Sequence, residues 1–195
     1  MNNNCFQKLN IKLNDENKLY KDFLNMDYHQ VEVPGKIYES KHTFLRAEVP
    51  FHYFEDEPIG EIMKKYKLIA KIFLIQANHF YNWHRDSFRQ TAFNMLLQSD
   101  EDYFTIFSHT TEASTQLSIN NFFYAPQTQL KYEKGYFYLL NSQKPHMVSN
   151  CSNMDRYVLT LANYENKTLD HFYGKPANYS MYNFMVEDLQ SLNLI

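Results

Sequence analysis

The stretch Trp83-His84-Arg85-Asp86 is the main sequence signal for the fold and the site of this chain. It follows an apolar run at 67–76, whose β-branched content predicts a strand. In an extended segment residues i and i+2 point to the same face, so His84 and Asp86 can reach one cavity. A histidine and a carboxylate on one face are two of the ligands that metal ions take from proteins.

A second histidine further along the chain extends this pattern. His146 lies between two predicted strands, the second of which begins at Arg156. Two histidines and one carboxylate on one side of a metal form a facial triad, which leaves coordination positions open. The sequence therefore predicts that His84, Asp86 and His146 hold one metal ion.

Arg156 is predicted to bind a carboxylate group. The chain has only four arginines, and strand alternation over 156–162 puts Arg156 on the same face as Val158 and Thr160. An arginine among small or apolar residues needs a partner, and a ligand carboxylate held by two N–H groups would supply one. The alternative, an ion pair with a surface carboxylate, stays open.

Together these segments resemble the Fe(II)/2-oxoglutarate-dependent oxygenases, and most closely the branch of aspartyl/asparaginyl β-hydroxylases and bacterial free-proline hydroxylases. The resemblance covers roughly residues 67–163. It rests on His84-Arg85-Asp86, on Gly135 to Asn150 with His146, and on Arg156. Some branches place a serine two residues after the arginine, whereas this chain has Val158.

The resemblance implies a double-stranded β-helix, that is, a jelly roll similar to the cupins. It implies Fe(II) bound by His84, Asp86 and His146, with 2-oxoglutarate and O2 as co-substrates and Arg156 on the far carboxylate. The reaction would hydroxylate a C–H bond of an amino acid or a protein side chain, with release of succinate and carbon dioxide. Asn94, polar in the middle of a predicted strand, would contact the co-substrate or make an ordinary structural hydrogen bond.

The pattern of short strands independently predicts a mainly β protein. Short apolar and aromatic runs separated by turn signals are typical of a β-sandwich or barrel. The predicted strands are 44–49, 67–76, 91–98, 103–108, 116–119, 122–125, 129–132 and two further strands around Phe137 and Tyr157. Helices are predicted at 13–26 and 182–192, while residues 1–10 are expected to be loose and 145–150 to form a loop. No linker interrupts the chain, so we expect one domain over 1–195 with its jelly-roll core at about 67–163.

The composition limits the classes of partner. A formal charge of −3 and a pI near 6.2 exclude a basic field for nonspecific nucleic-acid binding. There is no apolar run of membrane-spanning length and no signal-peptide pattern. Two cysteines are too few for a disulfide framework. We therefore expect a cytoplasmic enzyme or binding protein. The resemblance implies that it acts on a small molecule or a peptide.

Two other functions remain open from the sequence. A cupin-like metal-binding protein or isomerase would keep the three metal ligands but would have no reason to place Arg156 beside them. An inactive jelly roll used for protein contacts would bind no metal.

We expect the segments without family resemblance, residues 27–60 and 110–130, to form the entrance to the site. Tyr53, Phe54 and Phe122-Phe123-Tyr124 supply large aromatic groups there. The alternative is that these aromatic residues pack on the outer face of the sheets.

Overall fold

Two antiparallel β-sheets, one of seven strands and one of four, carry the fold. The computed structural model describes residues 4–33, 42–86, 89–99, 102–109, 125–164 and 180–195. The described strands are β1 (Phe6–Lys12), β2 (His29–Val33), β3 (His42–Val49), β4 (Ile69–Ile75), β5 (His79–His84), β6 (Thr91–Gln98), β7 (Tyr103–Ser108), β8 (Gln127–Leu130), β9 (Tyr136–Asn141), β10 (His146–Asn150) and β11 (Arg156–Ala162). The described helices are α1 (Glu16–Asp22), α2 (Pro58–Tyr66) and α3 (Met181–Ser191), with 3-10 turns at Phe23–Asn25 and Phe51–Tyr53.

The strand order is that of a jelly roll. The large sheet runs β1-β9-β6-β11-β4-β3-β2 and the small sheet runs β5-β10-β7-β8. Neighbours in each sheet are mostly distant in sequence, as expected when one chain wraps two sheets around a common interior. The predicted double-stranded β-helix is therefore confirmed.

The large sheet buries apolar side chains on both of its faces. Leu159 and Leu161 of β11 join an outer cluster that also contains residues of α1, α2 and α3. Val158 belongs to an inner cluster shared with Phe107 and Leu130 of the small sheet. The alternation predicted for β11 is thus confirmed, and it directs Arg156 toward the space between the sheets.

Helix α2 shows how the outer layer is built from local signals. Pro58 stands in its first turn, where the missing N–H costs nothing, and Lys67 ends it in the left-handed conformation with φ 52°. Its buried residues recur at helical spacing and face the outer cluster: Ile59, Ile62, Met63 and Tyr66.

Some elements differ from the sequence predictions. Residues 1–10 were expected to be loose, yet Leu9 and Ile11 are buried in β1, which pairs with β9. The alternation of Leu9 and Ile11 with polar residues is a strand pattern that the prediction missed. The loop expected at 145–150 is largely strand β10. The strands predicted at 116–119 and 122–125 lie outside the described residues, apart from residue 125.

The helical predictions hold. The pattern at 13–26 corresponds to α1 and the following 3-10 turn, with the Asp15 carboxylate accepting a hydrogen bond from the Lys18 N–H at the helix start. The pattern at 182–192 corresponds to α3, whose Tyr182 and Leu189 pack in the outer cluster. None of the helices in the described ranges has the length and apolarity needed to cross a bilayer.

Candidate metal centre

Strand pairing brings the three predicted metal ligands together. His84 of β5 lies directly opposite His146 of β10, and their ring centroids are 4.2 Å apart. Asp86 follows β5, and its Oδ1 lies 3.8 Å from Nε2 of His84. One ligand atom from each of the three residues lies within 4.8 Å of the others. This donor set, two imidazoles and one carboxylate, suits a divalent transition metal.

A β-bulge in β5 changes which side chain accompanies His84. His146 pairs with His84 but Val148 pairs with Tyr81, so β5 carries one extra residue between these pairs. The extra residue puts Tyr81 beside His84, with ring centroids 4.0 Å apart. Burial, reinforced by the nearby Asp86 carboxylate, raises the pKa of Tyr81 to about 12. Simple alternation from His84 would not place Tyr81 at the metal centre.

The same bulge bears on His79, another histidine of β5. In a regular strand its five-residue separation from His84 would put the two side chains on opposite faces, but the extra residue cancels that difference. His79 is instead separated by distance along the strand, since it pairs with Asn150 at the far end of β10. It is exposed, and its Nδ1 lies 2.8 Å from the Ala77 carbonyl.

His146 is prepared to act as a neutral ligand. The side chain is buried, and Nδ1 lies 2.9 Å from the Lys144 carbonyl, which fixes the proton on Nδ1 and leaves the Nε2 lone pair free. Burial lowers the pKa of His146, and the Asp86 carboxylate opposes this shift only in part. A metal ligand must be deprotonated at the donor nitrogen, and burial favours that form.

Asp86 is held as an ionised carboxylate with its two oxygens in different roles. Burial by itself would raise the pKa of Asp86, but Arg89, His146 and His84 together hold that pKa below its usual range. Nε of Arg89 donates to Oδ2 at 2.6 Å, while Oδ1 faces His84. This arrangement leaves Oδ1 as the oxygen available to a metal.

Arg89 was not predicted from the sequence, although it stands only three residues after Asp86. Its guanidinium packs 5.5 Å from the ring centroid of Phe73, and Nη1 donates to the Tyr164 hydroxyl at 3.4 Å. The Gln143 amide donates to the backbone carbonyls of both Asp86 and Arg89, at 3.0 Å each. These contacts come from distant strands, so no local sequence signal announces them.

Arg89 is expected to control metal affinity through Asp86. Arg89→Met should weaken Zn(II) or Mn(II) binding by about 10–100-fold, the range typical of residues that orient a ligand. It should also change the electron paramagnetic resonance spectrum of the Mn(II) form, since Asp86 would become free to bind through both oxygens. Arg46→Met is the matched control, because Arg46 makes no hydrogen bond or ion pair with another described residue. Unchanged affinity and an unchanged spectrum in Arg89→Met would show that Arg89 is a packing residue only.

Arg156 lies buried between the two sheets, 1% exposed. Nη1 donates to the carbonyls of Phe104 at 3.2 Å and Ser149 at 3.3 Å, and Nη2 donates to Oγ1 of Thr105 at 2.9 Å. Tyr103 presents its ring to the guanidinium, with the centroid 4.7 Å from Cζ. These contacts fix the direction of the guanidinium plane but supply no negative charge.

One edge of the Arg156 guanidinium remains available. Nε is buried without a hydrogen-bond partner in the described part of the chain, and Nη2 has one partner for its two N–H groups. No carboxylate of the described residues lies within 4 Å of Arg156. Burial lowers the pKa of Arg156, with Tyr132 and Tyr103 opposing. A buried cation with a free Nε and Nη2 edge is a receptor for a carboxylate.

Asn94 lies near this cation on the inner face of β6. Its Nδ2 donates to the Tyr132 hydroxyl at 3.3 Å, and the Tyr132 ring centroid is 5.6 Å from Cζ of Arg156. Oδ1 of Asn94 is buried with no hydrogen-bond partner among the described residues. Such an orphaned acceptor beside a buried guanidinium is consistent with a polar ligand between the sheets.

Strand β10 connects the metal ligands to Arg156. His146 begins β10, and Ser149, which accepts from Arg156, stands three residues further along. At a strand rise of about 3.3 Å per residue, the two points are roughly 10 Å apart. Both the imidazole pair and the guanidinium therefore lie along one strand of the small sheet.

Comparison with known proteins gives the fold. Neither the models of protein families nor the curated proteins contain a match to this chain. Among solved structures, the chain is similar to a prolyl hydroxylase from Trichoplax adhaerens in complex with a hypoxia inducible factor peptide fragment, with a TM-score of 0.54 and 13% identity over 84% of this chain and 85% of that one. It has the fold of the 2-oxoglutarate/Fe(II) oxygenases.

Two further structures support the same fold. One is the non-heme alpha-ketoglutarate-dependent epimerase SnoN from nogalamycin biosynthesis, with a TM-score of 0.54 and 10% identity over 90% of this chain and 84% of that one. The other is a 2OG-Fe(II) oxygenase family oxidoreductase from Burkholderia pseudomallei, with a TM-score of 0.51 and 10% identity over 77% and 80% of the two chains. At identities this low, the likeness shows a shared fold, and a shared fold does not by itself imply a shared reaction.

Proposed function

We propose that this protein is an Fe(II)/2-oxoglutarate-dependent dioxygenase that hydroxylates a C–H bond of an amino acid or a protein side chain. The observation that carries the proposal is the buried guanidinium of Arg156, which lies in the interior that also holds His84, Asp86 and His146. A buried cation without a carboxylate partner is costly in an empty protein and is explained by a ligand that supplies the charge.

The donor set fits Fe(II). His84, Asp86 and His146 would hold the ion, with the His146 tautomer fixed by Lys144 and Oδ2 of Asp86 held by Arg89. When bound, the ion supplies activation of O2 and polarisation of the 2-oxo acid at the coordination positions that the protein leaves open. The contribution of the chain is to orient the ligands and to keep the Asp86 carboxylate ionised.

The space between the sheets fits 2-oxoglutarate. The diacid would extend from the metal ligands toward Arg156, whose free Nε and Nη2 edge would bind its far carboxylate. The span along β10 matches an extended five-carbon diacid with a metal at one end. Asn94 and the Tyr132 hydroxyl stand beside the guanidinium and would fix the orientation of the bound carboxylate.

The substrate class and the family branch are proposed from the motif spacing. The order His84-Arg85-Asp86, His146 and Arg156 favours the branch of aspartyl/asparaginyl β-hydroxylases and free-proline hydroxylases. A small molecule or a peptide is therefore proposed as the substrate. A reaction outcome other than hydroxylation would leave the roles of these residues unchanged.

The proposal is tested by succinate release. Purified protein with Fe(II), 2-oxoglutarate and O2 should release succinate slowly on its own and faster with the right member of a panel of amino acids and peptides. Omitting Fe(II) or O2 should stop the release. A metal-binding cupin or isomerase without oxygen chemistry would bind the metal yet form no succinate under any of these conditions, and that result would overturn the proposal.

A further inference from the structure

A cavity of about 620 Å³ opens beside β3, the strand next to the β2 edge of the large sheet. Arg46 and Glu48 of β3 line it, and their cross-strand partners on β4 are Phe73 and Lys71. The intervening residue Ala47 is buried, and neighbouring Val49 belongs to the outer cluster. By alternation, Arg46 and Glu48 therefore face inward with Lys71 and Phe73.

Lys71 is a buried cation that contacts Glu48, one of the residues lining this cavity. It is 7% exposed, and its Nζ lies 4.2 Å from the ring centroid of Tyr164. Its carboxylate neighbour is Glu48, at 3.5 Å from Nζ, but the Glu48 side chain is 71% exposed. An ion pair with one partner in water compensates poorly for burying an ammonium group.

Arg46 adds a second positive charge at the same place. It makes no hydrogen bond with another described residue, and no carboxylate of the described residues lies within 4 Å of it. Burial lowers the pKa of Lys71, and the charge of Arg46 lowers it further while Glu48 opposes. Two cations therefore repel each other across one exposed carboxylate, and an additional anion would relieve that repulsion.

Among the described residues that line the cavity, the other acid, Asp27, does not neutralise this positive charge. Asp27 is 90% exposed and lies just before the edge strand β2, with Oδ2 at 3.6 Å from Nε2 of His29. Its charge is screened by water and is directed at the imidazole rather than at Lys71. The inner end of the cavity therefore keeps a surplus of positive charge.

The side chain of Tyr164 lies between the positively charged end of the cavity and the metal centre. Tyr164 contacts the ammonium group of Lys71 on one side, and its hydroxyl accepts from Arg89, the residue that holds Asp86. Phe73, next to Arg46 in register, packs against the Arg89 guanidinium. A molecule anchored by Lys71 and Arg46 would thus extend along Tyr164 and Phe73 toward the ligands.

We propose that Lys71 and Arg46 bind an oxyanion of the substrate, a carboxylate or a phosphate, and so anchor a small anionic molecule at the mouth of the metal centre. This inference rests on the proposed oxygenase function, because it treats the cavity as the substrate side of that site. When the anion is bound, the exposed Glu48 side chain either keeps its contact with Lys71 or moves away from it into the solvent.

The test uses matched fragments and protein that cannot turn over. Protein loaded with Zn(II) and saturated with 2-oxoglutarate is screened by saturation-transfer NMR against small carboxylic acids, the carboxamides of the same skeletons and the corresponding phosphate monoesters. One of the two anion classes should bind at least about tenfold tighter than the amides, since hydrogen bonds to an ionised group are about twice as strong as those between neutral groups. Binding of the anions should not weaken as the concentration of 2-oxoglutarate is raised.

Four variants show which residues cause the preference for anions. Lys71→Met and Arg46→Met should each remove the preference for anions, Lys71→Arg should keep it, and Lys131→Met, an exposed lysine away from the cavity, should not alter it. A preference for acids identifies a carboxylate, and a preference for the esters identifies a phosphate. Equal binding of anions and amides, or a preference that survives both Met variants, would overturn the inference.

The proposed function is monitored separately in the same samples. Stabilisation of the Zn(II) form by 2-oxoglutarate reports the metal and co-substrate sites, and all four variants should retain it. If 2-oxoglutarate does not stabilise the Zn(II) form of the wild-type protein, that result counts against the proposed oxygenase function. If it does stabilise this form but anions bind no better than amides, only the proposed anchor at Lys71 and Arg46 is contradicted.

Discussion

His84→Ala and Asp86→Ala are each expected to abolish stoichiometric binding of Fe(II) or Mn(II), which the wild-type protein should bind at about one ion per chain. The loss should exceed the 10–100-fold typical of residues that only orient a ligand, because a donor atom itself is removed. Anaerobic equilibrium dialysis with metal analysis measures the effect directly. Asp86→Ala would in addition leave the buried Arg89 guanidinium without its carboxylate partner. The melting temperature of this variant should therefore be measured together with its metal content.

His79→Ala is the matched control for these variants. His79 lies on the same strand as His84, but it is exposed and stands at the far end of the β5–β10 pair. Metal content should be unchanged in this variant. Wild-type metal content in both His84→Ala and Asp86→Ala would contradict the ligand assignment, as would an equal loss in His79→Ala.

Arg156→Lys and Arg156→Met are expected to keep the metal but weaken 2-oxoglutarate by roughly 10–100-fold or more, because charge-assisted hydrogen bonds contribute about 1.5–3 kcal/mol each. Lysine retains the charge but cannot present the Nε and Nη2 edge that faces the interior. Calorimetric titration of 2-oxoglutarate into the Mn(II) form compares the three proteins. Arg46→Met removes an arginine outside this site and should leave the affinity near that of the wild type.

Thermal unfolding separates a ligand-binding role of Arg156 from a structural one. At 100 times Kd, a ligand stabilises by about 2.7 kcal/mol, which corresponds to a rise in melting temperature of roughly 5–10 °C for a chain of this size. The wild-type Mn(II) form should show this rise with 2-oxoglutarate, and Arg156→Met should not. If Arg156→Met only lowers the melting temperature of the empty protein and binds the diacid normally, Arg156 is a structural residue.

Much of the candidate site could be predicted because short-range strand geometry governs it. The two-residue spacing of His84 and Asp86 and the alternation along β11 are properties of an extended chain, and both are visible in the sequence. The scarcity of arginine made Arg156 conspicuous. Its free Nε, by contrast, depends on which carbonyls of β7 and β10 approach it, and only the folded chain provides that information.

The features that the sequence did not reveal all depend on register or on distant contacts. The bulge in β5 brings Tyr81 to His84, and nothing in residues 79–84 distinguishes a bulged strand from a regular one. Arg89 meets Phe73 and Tyr164 only because β4 and the end of β11 lie beside it. Side-chain pairing across strands distant in sequence is set by the whole fold rather than by local propensity.

Two of the aromatic residues predicted at the entrance, Tyr53 and Phe54, lie in the described part of the chain. Phe54 is fully buried in the outer cluster, so for this residue the packing alternative holds. Tyr53 packs against the same cluster, but it also lines the cavity beside Arg46 and donates its hydroxyl hydrogen to Asp22 at 2.9 Å. Its place at the entrance stays a prediction. The aromatic residues predicted at 122–124 lie outside the described residues.

The central claim is that one interior holds a metal ion at His84, Asp86 and His146 and a diacid between that ion and Arg156. The most direct test is the affinity of 2-oxoglutarate for the protein with and without Mn(II), measured by anaerobic calorimetry. Since both ligands would share one site, each should strengthen the binding of the other, and 2-oxoglutarate should bind far more tightly to the Mn(II) form. Equal affinity of the metal-free and Mn(II) forms for 2-oxoglutarate would contradict the account.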